Sequence, residues 1–380
     1  MRSTKMSPTS GKRVETIDVF RGLAILMVVL YHFTARLPAE AMNVAGMPAP
    51  PVFFGWAGVY FFFAISGYCI YLTLERSATI SLFLARRFSR LYPAFLAAAL
   101  FLFAYGLIAP VPSIPAADFH ERPSTLVDLV LNLLVVGDGR WVNGSFWSIA
   151  VEIKFYIGLG LLALLVPDRQ KLATLFAWLS LAAAPFWLLA MGYALGGGSH
   201  LPQKLIGLAT IAPYLPFFAI GILARTHRPG SPLGALLLAL CFVEGAAVIF
   251  MTALDGSPDV PAAALTTLIT MGLLGALVAF GAGVPMPHVP GLSRTVAALG
   301  FVSFSWYLVH ENLGASFLFN LNRVMPNTLA VLLTVGATLL IAWVFSQLVE
   351  WRFRKPFEAF ALKLLGAVAA RFRRAGPVRA

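Results

Sequence analysis

The chain has 380 residues, of which 59% are hydrophobic and only 12% are charged, and its mean hydropathy is +0.83. Soluble domains carry about 25% charged residues, so this composition excludes a soluble protein. The net charge of +12 does not indicate nucleic-acid binding, because the cations lie in short segments between apolar runs, where they set orientation. Cys69 and Cys241 lie inside apolar runs and have neither a disulfide framework nor the spacing of metal ligands.

Ten apolar runs are long enough to cross a bilayer, which takes about 20 residues of helix. They lie approximately at 17–36, 52–74, 91–110, 146–166, 172–192, 205–225, 232–252, 262–282, 300–319 and 328–349. An eleventh run, 125–136, is short and contains Asp128 and Asn132, which favours a re-entrant or interfacial helix. The sequence therefore predicts an all-α integral membrane protein, a bundle of about ten transmembrane helices with one short additional helix.

The distribution of Lys and Arg predicts how the bundle is oriented. With ten spans and a cytoplasmic N-terminus, 21 of the 28 basic residues fall in cytoplasmic segments and five in outer ones, in agreement with the excess of positive charge in cytoplasmic loops. An eleventh span would reverse the later loops and place the basic C-terminal residues outside. We therefore predict a cytoplasmic segment at 1–16, one membrane domain at 17–349, and a cytoplasmic tail at 350–380 that lies on the anionic inner leaflet.

The first span carries two ionisable side chains, Arg21 and His32, and charged groups inside spans are costly and usually functional. At 3.6 residues per turn, eleven residues come about 20° past three turns, so both side chains share a face, about 16 Å apart along the helix axis. Arg21 either reaches the inner interface or faces the bundle. His32 is either a packing histidine or a general base, since imidazole exchanges protons near neutral pH.

Two further polar positions lie in the fourth and ninth runs. Glu152 has Ser148 four residues earlier on the same helical face. It pairs with the nearby Lys154, orients a histidine, or hydrogen-bonds a substrate hydroxyl. His310, in "SFSWYLVHENL", has the same predicted depth as His32 and is either a structural histidine or part of a second polar site.

The start of the third run holds Arg86, Arg87 and Arg90. Arg87 and Arg90 are three residues apart and therefore neighbours on a helix. Anchoring at the cytoplasmic interface explains them, and so does a pair of guanidinium groups that binds phosphates. Together with Arg21, the pair would form an anion site that faces the cytoplasm.

Six segments carry a recognisable pattern in chain order. They are "IDVFRGLAILMVVLYHF" with its Arg-x10-His spacing, "GVYFFFAISGYCI", "RRFSRLYP", "FWSIAVEIKFY", "VSFSWYLVHENL" and "VEWRFRKPFE". Together they resemble the acyltransferase-3 family of integral membrane O-acyltransferases. The Glu311-Asn312 pair after His310 departs from the family pattern and is expected to tune the acceptor pocket.

The resemblance implies that an acyl group, expected to be acetyl, moves from cytoplasmic acyl-CoA to a hydroxyl of a carbohydrate such as an envelope glycan. Acyl-CoA would be a co-substrate, and no permanently bound cofactor is expected. The resemblance also implies a location in the bacterial inner membrane. Arg21, Arg87 and Arg90 would bind the CoA phosphates.

The same resemblance assigns the remaining polar residues to the chemical step. His32 would deprotonate the acceptor hydroxyl or carry the acyl group as a covalent relay. Glu152 would orient His32 or the acceptor, and Ser148, Tyr307 and His310 would line the acceptor pocket. Two alternatives stay open: an acceptor that is a small natural product such as a macrolide, and a transporter, which also places His, Glu and Arg inside spans.

Overall fold

The structure, a computed structural model, describes residues 8–36, 52–109, 125–136, 140–227 and 230–374. Within these residues the chain forms helices and no strands, which confirms the predicted all-α class. The α-helices are α1 (Pro8–Thr34), α2 (Gly58–Glu75), α3 (Ile80–Ile108), α4 (Leu126–Leu133), α5 (Trp147–Leu165), α6 (Arg169–Leu195), α7 (Leu201–Ala209), α8 (Leu215–Thr226), α9 (Pro232–Gly256), α10 (Val260–Gly281), α11 (Leu292–Leu321), α12 (Asn327–Phe345) and α13 (Trp351–Arg374).

The predicted bundle of about ten membrane helices is confirmed. In the described ranges, nine helices are long and apolar enough to cross a membrane. The short helices α7 and α8, bent by 74° relative to each other, supply a tenth if they form one span. The bend follows from Pro213 and Pro216, because neither residue has the N–H that would continue the helical hydrogen bonds.

Lys154, which projects from α5, stabilises this broken span. Its Nζ donates a hydrogen bond of 2.6 Å to the carbonyl of Leu208. The last four carbonyls of a helix have no partner within the helix, and a cation beside them is favourable. The position of Lys154 inside an apolar run is therefore explained by the end of α7, and not by the pair with Glu152 that the sequence left open.

Helix α4 does not cross the bundle, as the sequence predicts for the run at 125–136. It has only 8 residues, less than half of what a span requires. A capping box between Thr125 and Asp128 begins it, and its apolar side chains Leu126 and Val130 are largely exposed. Helix α3 begins beside Arg21, and the turn before α5 lies beside Glu311. Since α3 is long enough to cross, α4 connects two spans at one end of the bundle.

Helix α1 lies inside the bundle and packs along α11 over most of its length. Two glycines permit this contact: a Cβ at Gly22 would overlap the backbone of Val296, and a Cβ at Gly300 would overlap the backbone of Asp18. Small residues allow helix backbones to approach closely in membranes. As a result, α1 holds Arg21 near one end of the bundle and His32 near the other, named below the Arg21 end and the His32 end.

The end of the chain continues the last span. A π-helical turn, Ser346–Glu350, joins α12 to α13, so the helix runs through residue 350, where the tail is predicted to begin. Glu350 is buried and accepts a hydrogen bond of 2.7 Å from Ser305 Oγ. Helix α13 packs against α3, where Arg86 Nε lies 3.8 Å from Glu358 Oε1. The location of the tail on the inner leaflet stays a prediction.

Candidate active site

A cavity lies within the bundle, between α1, α2, α3, α5 and α11. Six of the eight residues that the sequence selects line it, contributed by four different helices. They are Arg21, Arg87, Arg90, Ser148, Glu152 and Tyr307. Aromatic side chains such as Phe62 and Phe63 form much of the remaining wall. The structure therefore brings most of the predicted site into one space.

Three arginines gather at the Arg21 end of this cavity. Arg21 contacts Asp18 Oδ1 at 3.4 Å and Cys69 Sγ at 3.7 Å. Arg87 is only 5% exposed, and its Nε has no hydrogen-bond acceptor among the described residues. A buried cation without a full set of partners is unfavourable, whereas an anion in the cavity would supply strong, charge-assisted hydrogen bonds.

Arg86 belongs to a different environment from its two neighbours. Its Nη1 donates to the carbonyl of Arg76 at 3.2 Å and to Ser77 Oγ at 3.3 Å, away from the cavity lining. Arg87 and Arg90 thus face the cavity, while Arg86 forms hydrogen bonds between α3 and the segment that precedes it. This division matches the choice of Arg87 and Arg90 made from the helical spacing.

Glu152 shares the cavity with the arginines and does not reach the histidines. Its Oε1 accepts hydrogen bonds from Ser66 Oγ at 2.8 Å and from Tyr156 OH at 2.6 Å. The predicted contact between Glu152 and His32 is therefore absent from the described part of the chain. Ser66 is thus a partner of Glu152, while its neighbour Gly67 packs closely against the backbone of Phe218.

The two predicted histidines meet at the His32 end. Their ring centroids are 4.8 Å apart, and His310 Nε2 lies 3.3 Å from His32 Nδ1. His32 Nδ1 also lies 2.8 Å from the carbonyl of Val28. The prediction that the histidines of the first and ninth apolar runs share one depth agrees with this contact.

Glu311 completes the histidine cluster. Its Oε1 lies 3.3 Å from His32 Nε2 and 3.6 Å from Arg36 Nε. The sequence predicts only that Glu311 tunes the acceptor pocket, and not that it contacts His32. The available signal is a carboxylate in a membrane helix directly beside a selected histidine, since such a charge needs a partner.

Tyr307 connects the cavity with the histidines. Its hydroxyl lies 2.7 Å from Ser148 Oγ, on the cavity wall, and its ring centroid is 5.6 Å from that of His310. The segment before α5 is fixed to the same part of α11, because Asn143 Nδ2 donates to the carbonyl of Leu308 at 3.0 Å. Asn143 is a structural residue of the site that the sequence does not single out.

One of the comparisons with known proteins identifies the family of the chain. The acyltransferase-3 family model, which describes an acyltransferase domain, matches residues 14–347. No curated protein and no solved structure matches the chain. The matched range runs from α1 into the π-helical turn after α12 and contains every residue selected for the site. The protein is thus an integral, multi-pass membrane acyltransferase, and the chain belongs to the acyltransferase-3 family.

Proposed function

We propose that the protein transfers an acyl group, acetyl in the first instance, from acyl-CoA to a hydroxyl of a carbohydrate in the bacterial envelope. One observation supports the proposal: a single cavity is lined by three arginines and by Tyr307, and the ring of Tyr307 packs near His310, which contacts His32. The arginines suit a phosphorylated donor, and the histidines suit proton transfer at the acceptor.

The donor would bind with its phosphates at the Arg21 end. Guanidinium groups form bidentate hydrogen bonds with phosphate oxygens, and Arg87 has an N–H without an acceptor among the described residues. Helical rise places Arg21 and His32 about 16 Å apart. The extended arm of CoA would cover this distance and bring the thioester close to Tyr307 and the histidines.

His32 would act as the general base in the transfer. It takes the proton of the acceptor hydroxyl, whose oxygen attacks the thioester carbonyl carbon and forms the new C–O bond. The C–S bond breaks, and the departing CoA thiolate receives the proton from the imidazolium. In the variant mechanism, His32 attacks the thioester carbonyl carbon, the C–S bond breaks, and CoA leaves as the thiol with the ring proton. The acceptor hydroxyl then takes the acyl group from the imidazole, and its proton returns to the ring.

The orientation follows from the charge distribution. With cytoplasmic termini, the Arg21 end faces the cytoplasm, where acyl-CoA is made, and the His32 end faces outward. The acceptor would then reach the histidines from the outer side of the inner membrane. This arrangement lets a cytoplasmic donor modify a glycan that has already crossed the membrane.

The test measures free CoA and the acceptor product separately. Purified protein in lipid nanodiscs receives acetyl-CoA and a glycan extract from the cell envelope, and we expect thiol release together with O-acetylated glycan by mass spectrometry. A transporter would release no thiol. If thiol release required a macrolide and not the glycan, the macrolide would replace the glycan as the proposed acceptor. The aromatic wall at Phe62 and Phe63 would suit such an acceptor.

A further inference from the structure

Glu311 is a buried carboxylate, 4% exposed, and the proposed transfer does not yet use it. Glu311 lies on α11 and contacts His32, the proposed base, which lies on α1. Its second oxygen, Oε2, is buried and has no hydrogen-bond partner among the described residues. Burying a carboxylate is expensive unless it is paired, so a role beyond packing must be considered.

The hydrogen bonds determine which nitrogen of His32 exchanges a proton. His310 Nδ1 lies 2.9 Å from the carbonyl of Tyr307, and His32 Nδ1 lies 2.8 Å from the carbonyl of Val28. Because carbonyl oxygens only accept, both Nδ1 atoms carry hydrogen. His310 Nε2 then accepts from His32 Nδ1 across 3.3 Å and is unprotonated. His32 Nε2 is left as the nitrogen that gains and loses a proton.

That nitrogen faces Glu311. The distance from His32 Nε2 to Glu311 Oε1 is 3.3 Å, within reach of an ion pair once the ring is protonated. Arg36 approaches the same oxygen at 3.6 Å. The other titratable groups around the pair are His310, Tyr31, whose ring packs on His32, and Tyr307. Glu311 is the acidic group among them.

The surrounding backbone is built to admit this carboxylate. A Cβ at residue 144 would overlap the carboxylate of Glu311, so Gly144 leaves the space that it occupies. The segment is held there by two hydrogen bonds of 3.0 Å: Asn312 N donates to Asn143 Oδ1, and Asn312 Nδ2 donates to the carbonyl of Val142. The position of Glu311 is therefore enforced by two chain segments far apart in sequence.

We infer that Glu311, and not Glu152, is the positioning residue of the transfer: it holds the ring of His32 and balances the charge of the imidazolium formed during the reaction. The inference rests on the proposed function. Glu311 meets the nitrogen that gains the proton, so it forms an ion pair with the imidazolium as the proton arrives, and a neighbouring opposite charge stabilises the charged ring. Glu152, bonded to Ser66 and Tyr156, remains part of the arginine-lined cavity.

The first readout does not depend on catalysis. Diethyl pyrocarbonate modifies neutral imidazole, so the pH dependence of its reaction at His32, followed by peptide mass spectrometry of the nanodisc-embedded protein, reports when that ring loses its proton. A neighbouring carboxylate favours the charged ring. We expect Glu311→Gln to move the midpoint to lower pH by about one unit, Glu311→Asp to restore part of the shift, and Glu152→Gln to leave it unchanged.

A second variant, at a residue nearer the surface, should shift the midpoint of the reaction at His32 in the opposite direction. Arg36→Gln removes a cation that competes for Glu311 Oε1, so the midpoint at His32 should move to higher pH. If Glu311→Gln fails to give a monodisperse protein, the Arg36→Gln and Glu311→Asp results decide the question. Unchanged midpoints in the Glu311 and Arg36 variants, or a shift in Glu152→Gln, would overturn the inference.

The second readout is thiol release from acetyl-CoA with the envelope glycan extract. Glu311→Gln should lower kcat by roughly 10- to 100-fold, less than the roughly 10²–10⁴ contributed by a general base, because the variant keeps His32 and loses only its partner. Its KM for acetyl-CoA should stay near the wild-type value, because Glu311 does not line the arginine cavity. Wild-type protein that releases no thiol would refute the proposed function alone, since the modification profile would still report on the Glu311–His32 pair.

Discussion

The two ends of the site handle charge in opposite ways. At the Arg21 end, three cations share a cavity with Glu152, and Arg87 Nε has no acceptor among the described residues. At the His32 end, the protein supplies the partners itself: Val28, His310 and Glu311 surround the ring of His32. The first region is therefore prepared for an external anion, whereas the second surrounds a single imidazole with partners from the chain itself.

The largest loss of activity is expected when the proton acceptor is removed. His32→Ala should reduce thiol release from acetyl-CoA by roughly 10²–10⁴-fold, because that is what positioned proton transfer contributes to the rate. Binding of CoA itself, measured by calorimetry, should be unchanged. The matched control is His200→Ala, which removes a half-exposed histidine paired with Asp255; equal losses in both variants would refute the assignment of His32.

The next effect concerns donor binding. Arg87→Ala should raise the KM for acetyl-CoA by about 10- to 100-fold, because a charge-assisted hydrogen bond contributes roughly 1.5–3 kcal/mol and 1.4 kcal/mol corresponds to a factor of ten. The turnover at saturating donor should change little. Arg86→Ala is the control, since that side chain bonds to Arg76 and Ser77 instead. A lower kcat with normal KM in Arg87→Ala would contradict the assignment of Arg87 to donor binding.

A smaller effect is expected where the two ends join. Tyr307→Phe removes the hydroxyl that contacts Ser148 Oγ and should lower kcat about tenfold, the cost of one lost hydrogen bond of 1–1.5 kcal/mol. Tyr105→Phe breaks a similar pair, Tyr105 OH with Ser316 Oγ at 2.8 Å, outside the cavity lining. If both variants lose activity equally, the proposed contribution of the Tyr307 hydroxyl to turnover is refuted.

The smallest effect should leave both ends untouched. Lys154→Met removes the hydrogen bond to the carbonyl of Leu208 and should lower the free energy of unfolding by about 1 kcal/mol. Activity should be normal, because Lys154 does not line the cavity. Thermal unfolding in nanodiscs measures the first quantity and thiol release the second. If Lys154→Met lost activity without losing stability, the prediction would be wrong and the broken span would have to influence the site.

Much of the fold could be predicted because it depends on local sequence. Apolar run length gives the spans, and the spacings from Arg21 to His32 and from Arg87 to Arg90 follow from helical geometry. The break between α7 and α8 escapes a count of apolar residues, since hydropathy ignores the N–H that proline lacks. Pro213 and Pro216 are its visible signal.

The partner of His32 could not be predicted in the same way. The sequence offers two carboxylates near selected residues, Glu152 and Glu311, and it predicts that the first orients His32 or the acceptor. Which of them meets His32 depends on the packing of α1 against α11, a contact between distant segments that glycines at 22 and 300 make possible. Helical spacing describes one helix at a time and carries no information about that choice.

The close contact between α1 and α11 also has a consequence for synthesis. The two histidines lie 278 residues apart, so α1 must wait for α11 to be synthesised before His32 has its partner. Contacts of such long range form late, after the chain between them is in place. Until α11 packs against α1, the chain has neither an assembled base nor a complete cavity, because Ser303, Phe304 and Tyr307 of α11 form part of the cavity wall.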